Sequence, residues 1–358
     1  EYGGRNKKAN KKRAEIWALK SFRDRSVHGM EDEMKIKKLL ASQRAIALLT
    51  LVVLFLFFTL FGKNFCTADT MVNLLESTYY IICVSFGMTF VIATGGIDLS
   101  VGTVAMCSAL IGGVAYNVWK FPMWMSLLVI IATGAVFGIL NGILTSYLDM
   151  PAFVATLGTM MMSQGVGYII SGVQTMRYPS ISEPDGWFKR VFYKSISGMP
   201  MGILYMVLLF AAACFLFRCT KIGKYACAIG SNKEAARLSG VNVKKWGLLV
   251  YLISGICAGI AGVFYAATYT AILPGSGSGI ETNAIAAAVI GGTSMAGGYG
   301  SMLGTIIGVF IMGILKNGLM TIGIQQQWQV LFTGGAVLLA VLLDIYRTKR
   351  VQKGRKKG

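Results

Sequence analysis

Ala45-Ile-Ala-Leu-Leu-Thr-Leu-Val-Val-Leu-Phe-Leu-Phe-Phe-Thr-Leu-Phe-Gly62 is a stretch of 18 residues without a single charge. At about 1.5 Å of rise per residue, such a helix reaches about 27 Å, enough to cross the hydrocarbon layer of a membrane. Backbone in lipid must satisfy its own hydrogen bonds, so an uninterrupted apolar run of this length reads as a spanning helix. Nine more apolar segments follow, at 78–94, 101–118, 123–147, 151–171, 202–217, 247–270, 283–297, 301–320 and 328–346. The expected fold is an all-α polytopic membrane protein of about ten transmembrane helices. Segment 283–297 is short and rich in Ala and Gly, with a re-entrant hairpin as the alternative, but parity favours a crossing, since only then do the three basic segments 1–44, 218–245 and 347–358 fall on one side.

Composition agrees with that reading. Of the 358 residues, 55% are hydrophobic and 14% charged, with mean hydropathy +0.62, against about 25% charged in an ordinary soluble domain. Thirty-four Lys and Arg against fifteen Asp and Glu give a net charge of +19, which by itself would suit a nucleic-acid binder. Position decides otherwise. Thirteen of the basic residues lie in 1–44, seven in 218–245 and seven in 347–358, outside the apolar segments, as cytoplasmic ends and loops require. An even number of crossings puts all three segments on the same side, so both termini are expected in the cytoplasm. The chain divides into a basic N-terminal arm (1–44), a membrane domain (45–346) with a cytoplasmic loop at 218–246, and a basic tail (347–358). Ile16, Trp17, Leu19 and Phe22 in the arm fit a short helix on the membrane surface and fit a solvated helix equally well. No signal peptide is expected, because a long polar arm precedes the first apolar run.

Several chemistries are excluded. His28 is the one histidine and lies in the polar arm, so no histidine triad or multi-histidine metal site can form in the membrane part. The seven cysteines show no C-x-x-C spacing and read as small buried hydrophobes. No G-x-x-x-x-G-K-[ST] is present, so any ATP consumed must be hydrolysed by another chain. The expectation is a non-enzyme that binds no cofactor of its own.

Two glycine patterns bear on packing. Gly134-Ala-Val-Phe-Gly138 and Gly255-Ile-Cys-Ala-Gly259 have the small-x-x-x-small form that lets membrane helices approach closely. Gly95-Gly96-Ile-Asp-Leu-Ser-Val-Gly102-Thr103 and Gly297-Gly298-Tyr-Gly-Ser-Met-Leu-Gly304-Thr305 agree at four positions at a constant offset. An internal repeat and coincidence in a glycine-rich chain both account for that agreement. Asp98 or Ser100 is read as the cap of the helix that follows.

The most informative stretch is polar: Ala228-Ile-Gly-Ser-Asn-Lys-Glu-Ala-Ala-Arg-Leu-Ser-Gly-Val-Asn-Val243. Ser231 with Glu234 three residues later reads as a capping box, Ala235 and Ala236 favour helix, and Gly240 suits a left-handed C-terminal cap. The expected two-turn helix is too short to be stable alone and must dock on something. Its face of Ala235, Leu238 and Ser239 suits a groove on a partner.

Glu234-Ala-Ala-x-x-x-Gly240 resembles the coupling loop of ATP-binding-cassette importer permeases, and the whole 228–243 string is similar to that of the ribose, galactose and xylose permease family. Ala93-Thr-Gly-Gly-Ile-Asp-Leu-Ser-Val-Gly102 agrees, as do Asn141-Gly-x-Leu followed by Pro151-Ala-Phe-Val-Ala-Thr-Leu-Gly158, and Ala284-Ile-Ala-Ala-Ala-Val-Ile-Gly-Gly-Thr-Ser294. The resemblance implies a homodimer of permease subunits, a cytoplasmic ATPase with two cassettes that carries the ATP and Mg, and an extracytoplasmic sugar-binding protein. It implies that Ser231, Asn232, Glu234, Ala235, Ala236, Arg237, Leu238 and Gly240 form the contact with the ATPase. The Ile-x-Leu-Pro that follows the glycine in the broader pattern is lacking here.

Candidates to line a translocation path are Phe90, Asn141, Phe153, Thr156, Thr159, Gln164, Asn283, Thr293 and Asn317, none of them charged. Such an inventory suits a neutral hydroxylated solute, which needs hydrogen bonds and no counter-charge. A nucleoside importer of related architecture is the nearest rival. An ion-coupled secondary transporter is disfavoured, because no chain of intramembrane carboxylates or histidines is available to relay protons.

Overall fold

The apolar opening stretch folds into helix α1 (Gln43–Phe61), which ends where Gly62 and Asn64, the latter at φ +58°, turn the chain. The structure is a computed structural model that describes residues 43–192, 195–196 and 199–355. The arm expected at 1–44, with His28 and the surface helix read around Trp17, falls outside these residues except for its last two, as does 356–358 of the tail. Thr50–Gly358 is one compact unit, and Glu1–Leu49 is counted separately.

After α1 come α2 (Ala68–Ala93), α3 (Val101–Asn117), α4 (Met123–Ser146), α5 (Ala152–Ser171), the short α6 (Trp187–Phe192), α7 (Gly202–Arg218), α8 (Lys221–Ser231), α9 (Lys233–Leu238), α10 (Val243–Thr268), α11 (Ile280–Ile290), α12 (Met302–Thr321) and α13 (Gln326–Arg355). Each of the ten apolar segments contains a helix, 283–297 only as far as Ile290. Among the described residues six helices are long and apolar enough to cross a membrane, and α7 with α8, bent by 59°, would make a seventh. Ala45–Phe61, Val101–Asn117 and Ile280–Ile290 are shorter apolar helices. The protein is thus a multi-pass, all-helical membrane protein.

Three boundaries differ from expectation for local reasons. Helix α2 starts ten residues before 78, because Thr67 caps it through the Thr70 amide and Asp69 sits at the positive end of its dipole. Helix α11 covers only part of 283–297. Gly291 packs directly on the backbone of Gly304 and Gly292 adopts φ +100°, so the helix stops at Ile290. The last helix does not stop at 346 but runs into the basic tail as far as Arg355.

Helix α3 is buried continuously from Val101 to Ala115, as expected of a helix that is apolar all round. It lies in the core with α2 and α10. The two small-x-x-x-small faces pack on each other: a Cβ at Gly134 would lie 2.3 Å from Gly255 O, and one at Gly138 3.0 Å from Gly255 Cα. Glycine is required there because the backbones of α4 and α10 are already in contact.

The bundle has two distinct ends. At one, Lys63 N donates to Thr321 O, Tyr178 N to Thr270 O and Asn117 Nδ2 to Arg177 O. Strand β1 (Met176–Arg177) pairs there antiparallel with β4 (Ala271–Ile272), and β2 (Ser195–Ile196) with β3 (Met199–Pro200). The opposite end carries α8, α9 and the 94–100, 147–151 and 291–301 connections. Arg218, Lys221, Lys224, Lys233, Arg237, Lys244 and Lys245 make it the basic end.

Candidate coupling helix and the polar joint beneath it

Thr220 caps α8 by accepting a hydrogen bond from the Ile222 amide. Ser231 is the last residue of that helix, so it does not cap the next one, and the capping box read from the sequence does not form. The cap of α9 is Asn232, extended at φ −164°, whose Oδ1 accepts from Ala235 N at 2.9 Å. Its own amide still donates to Ala228 O at 3.1 Å, so one residue closes α8 and opens α9. Glu234 does not reach back to the cap; it pairs with Arg237 at 2.8 Å, both side chains being well exposed. Gly240, at φ +83°, ends the helix as a left-handed residue, with Val241 N donating to Ala236 O.

Ala236 is the one residue of α9 turned inward. Leu238 is 81% exposed, and Ser231, Glu234, Ala235, Arg237 and Ser239 are exposed with it. Lys233 makes an exposed ion pair with Asp149 of the 147–151 connection at 2.9 Å, which lowers the carboxyl pKa of Asp149. Lys244 lies over the Tyr147 ring. Leu238, at the tip of this capped helix, is turned away from the bundle at its basic end.

Beneath it, α2 and α3 form a broken pair. The chain leaves α2 at Ala93, turns at Gly95 (φ +81°) and re-enters a helix at Val101. Asp98, in the break, is only 1% exposed. Its Oδ1 accepts from Ser100 N (3.0 Å) and Ser100 Oγ (2.6 Å), and its Oδ2 from Ser254 Oγ on α10 (2.9 Å). Asn141 on α4 donates to Ser100 Oγ at 2.9 Å and accepts from Thr159 on α5 at 2.6 Å. Thr156 accepts from Leu99 N and donates to Ala152 O, while Ser163 donates to Thr103. Ser100 sits at the start of α3 but makes no side-chain cap. Where a cap from Asp98 or Ser100 was expected there is a joint: Asp98 ties the break to α10, and Ser100 and Leu99 tie it to α4 and α5. Ser254, Thr103 and Ser163 were passed over in the sequence because a lone hydroxyl in an apolar helix carries no signal of its partner.

A second break mirrors the first, with α11 ending at Ile290 and α12 starting at Met302. Thr293 Oγ1 accepts from Ser301 N, and Met295 N donates to Asp344 on α13. The breaks meet where Gly298 N donates to Ala93 O at 2.9 Å, and Thr89 and Thr305 share a buried hydroxyl bond of 2.7 Å just inside.

Of the path candidates, Asn141, Thr156 and Thr159 come together at this joint. Thr293 belongs to the second break, and Phe90 is buried edge-to-face against Phe217. Phe153 is 57% exposed on α5. Gln164 is half-buried beside Ser163 and Thr103, Asn283 is half-buried on α11, and Asn317 donates to Gly313 O of its own helix.

The family model described as "Branched-chain amino acid transport system / permease component" matches residues 70–342. The ribose import permease protein RbsC of Escherichia coli is 35% identical over 302 residues, which cover 83% of this chain and 92% of that protein. The D-allose transport system permease protein AlsC of Escherichia coli is 31% identical, covering 82% and 88%. The xylose transport system permease protein XylH of Haemophilus influenzae is 31% identical, covering 86% and 97%. No solved structure matches. The match takes in both helix breaks, the polar joint and α9, and the chain belongs to this family of transport-system permease components.

Proposed function

We propose that this chain is the membrane subunit of an ATP-driven importer of a neutral monosaccharide, of the kind for which its relatives are named. Two copies work side by side in the cytoplasmic membrane, each contributing ten crossings, with α11 and its flanking 273–279 connection counted as one. The basic end faces the cytoplasm, as the placement of lysine and arginine requires, and both termini lie on that side. An ATPase with two cassettes docks there on α9 and holds the ATP and Mg, while a sugar-binding protein delivers its load at the opposite end. The chain itself binds no cofactor.

The observation that carries the reading is α9: six residues, capped at both ends, with Ala236 turned inward, Lys233 paired with Asp149 and Leu238 81% exposed. The exposed leucine, together with the exposed Glu234, Ala235 and Arg237, gives α9 a face open to a partner. The cargo assignment rests on the relatives together with the uncharged polar side chains that reach the surface of the subunit, Gln164, Asn283 and Asn317. A charged cargo would need a partner charge in the membrane, at about 2.5 kcal/mol or more per group.

Glu234→Lys tests the coupling. Its pair with Arg237 is solvent-exposed, so the change in stability stays below about 1 kcal/mol, but the docking surface changes sign beside the positive helix end. The variant is expected to insert and fold normally yet fail to raise ATP hydrolysis when sugar and binding protein are added. Normal stimulation would move the contact elsewhere on the chain.

A further inference from the structure

Glycine near the end of a helix is ordinarily explained by a left-handed turn, but Gly230, one residue before the end of α8, does not have a positive φ. What requires glycine there is contact. A Cβ at Gly230 would lie 2.1 Å from Ala93 O and 2.6 Å from Gly298 N, the two atoms that make the hydrogen bond between the helix breaks. Gly297 closes the same spot from the other side: its Cβ would lie 2.9 Å from Gly230 Cα and 2.9 Å from Gly95 N, and its φ is +79°. Helix α8 therefore rests, backbone on backbone, on the point where the two breaks join.

The link from α9 to this point has no slack. Asn232 is the single residue between α8 and α9, and it is bonded in both directions, to Ala228 O and to Ala235 N. A push on α9 therefore moves α8 with it. On the other side of the contact, the 94–100 break is tied through Asp98 to Ser254 on α10, through Ser100 to Asn141 on α4 and through Leu99 to Thr156 on α5. The 291–301 break is tied through Met295 to Asp344 on α13. One contact thus addresses four helices. Close-packed interfaces do not deform continuously; they shift by about 1–2 Å between discrete arrangements.

We infer that Gly230 is the positioning residue through which movement of α9 reaches the paired helix breaks and, through them, the membrane helices. The inference rests on the reading of α9 as the ATPase contact. Gly230→Ala keeps α9 and its exposed face intact but inserts a methyl where backbone already stands, so α8 must back away by roughly 1 Å before the contact is an ordinary one.

The test is hydrogen exchange on the full assembly, permease with its ATPase in lipid nanodiscs, with and without a non-hydrolysable ATP analogue and Mg. In the unsubstituted protein, the analogue is expected to change exchange at least tenfold in 228–240, in 94–100 and in 291–301 together. In Gly230→Ala, the response of 228–240 stays while that of the two breaks falls below threefold, which a merely structural loss would not produce. If the breaks do not respond in the unsubstituted protein while 228–240 does, the inference is wrong and the coupling reading stands; this arm does not depend on the variant folding. A full response of both breaks in Gly230→Ala also overturns it. No response at 228–240 in the unsubstituted protein removes the coupling reading and the inference with it.

Discussion

Asp98 is the strongest place to test whether the helix break is held by hydrogen bonds or by charge. Truncation to Ala leaves three donors, Ser100 N, Ser100 Oγ and Ser254 Oγ, without the acceptors they now meet at 3.0, 2.6 and 2.9 Å. Hydrogen bonds between helices in a membrane are worth about 0.6 kcal/mol on average and up to about 1.7, so Asp98→Ala should lower the unfolding free energy by about 2–5 kcal/mol. Asp98→Asn keeps the shape and the Oδ1 acceptor, and the Ser254 hydroxyl can turn to accept from the new amide. Its cost should stay within about 1.5 kcal/mol. Equilibrium unfolding in mixed detergent micelles measures both. A double-mutant cycle with Ser254→Ala should return a coupling of about 1 kcal/mol, because the two side chains share one bond. If the Asn variant is as damaged as the Ala variant, the charge of Asp98 matters and the hydrogen-bond account is wrong. If the Ala variant loses less than 1 kcal/mol, the break is not held here at all.

Two further outcomes follow from the packing and the topology. Gly255→Val places a branched side chain where a single Cβ would already lie 2.3 Å from Gly134 O; it should force α4 and α10 apart and abolish a folded, monodisperse protein, whereas Val at Gly165, which faces open space, should be tolerated. Size-exclusion profiles and thermal unfolding separate the two. Cysteines placed at Gly4 and Gly354 in a cysteine-depleted variant should both be protected from an impermeant reagent added outside cells; labelling of one alone would break the even number of crossings.

The helices were legible in the sequence because burial in lipid needs continuous apolar runs, and each of the ten runs carries a helix, 283–297 only in part. The basic end was legible for the complementary reason, since charge cannot be placed within those runs. The facing glycines of α4 and α10 were legible as packing faces, though not as each other's partners. What failed was detail set by tertiary contact. Ser231 and Asn232 are adjacent and both are good caps; the choice of Asn232 goes with α8 running through Ser231, beside the tertiary contact of Gly230 with Ala93 and Gly298. Asp98 looked like a cap because its neighbours in sequence lead into α3, while its partner Ser254 is 156 positions away. Helix α11 ends early because Gly291 meets Gly304 across the second break, a contact no local pattern announces.

We propose that this subunit passes a neutral sugar under the drive of an ATPase bound at α9. The most direct test is uptake into proteoliposomes that contain the permease, its ATPase and its binding protein, with ATP enclosed and with radiolabelled solutes offered singly. The account predicts ATP-dependent uptake of a pentose or hexose, no uptake of the corresponding sugar phosphate, and loss of sugar uptake in Glu234→Lys. Robust uptake of a sugar phosphate, a branched-chain amino acid or a nucleoside, with no sugar transported, would contradict it.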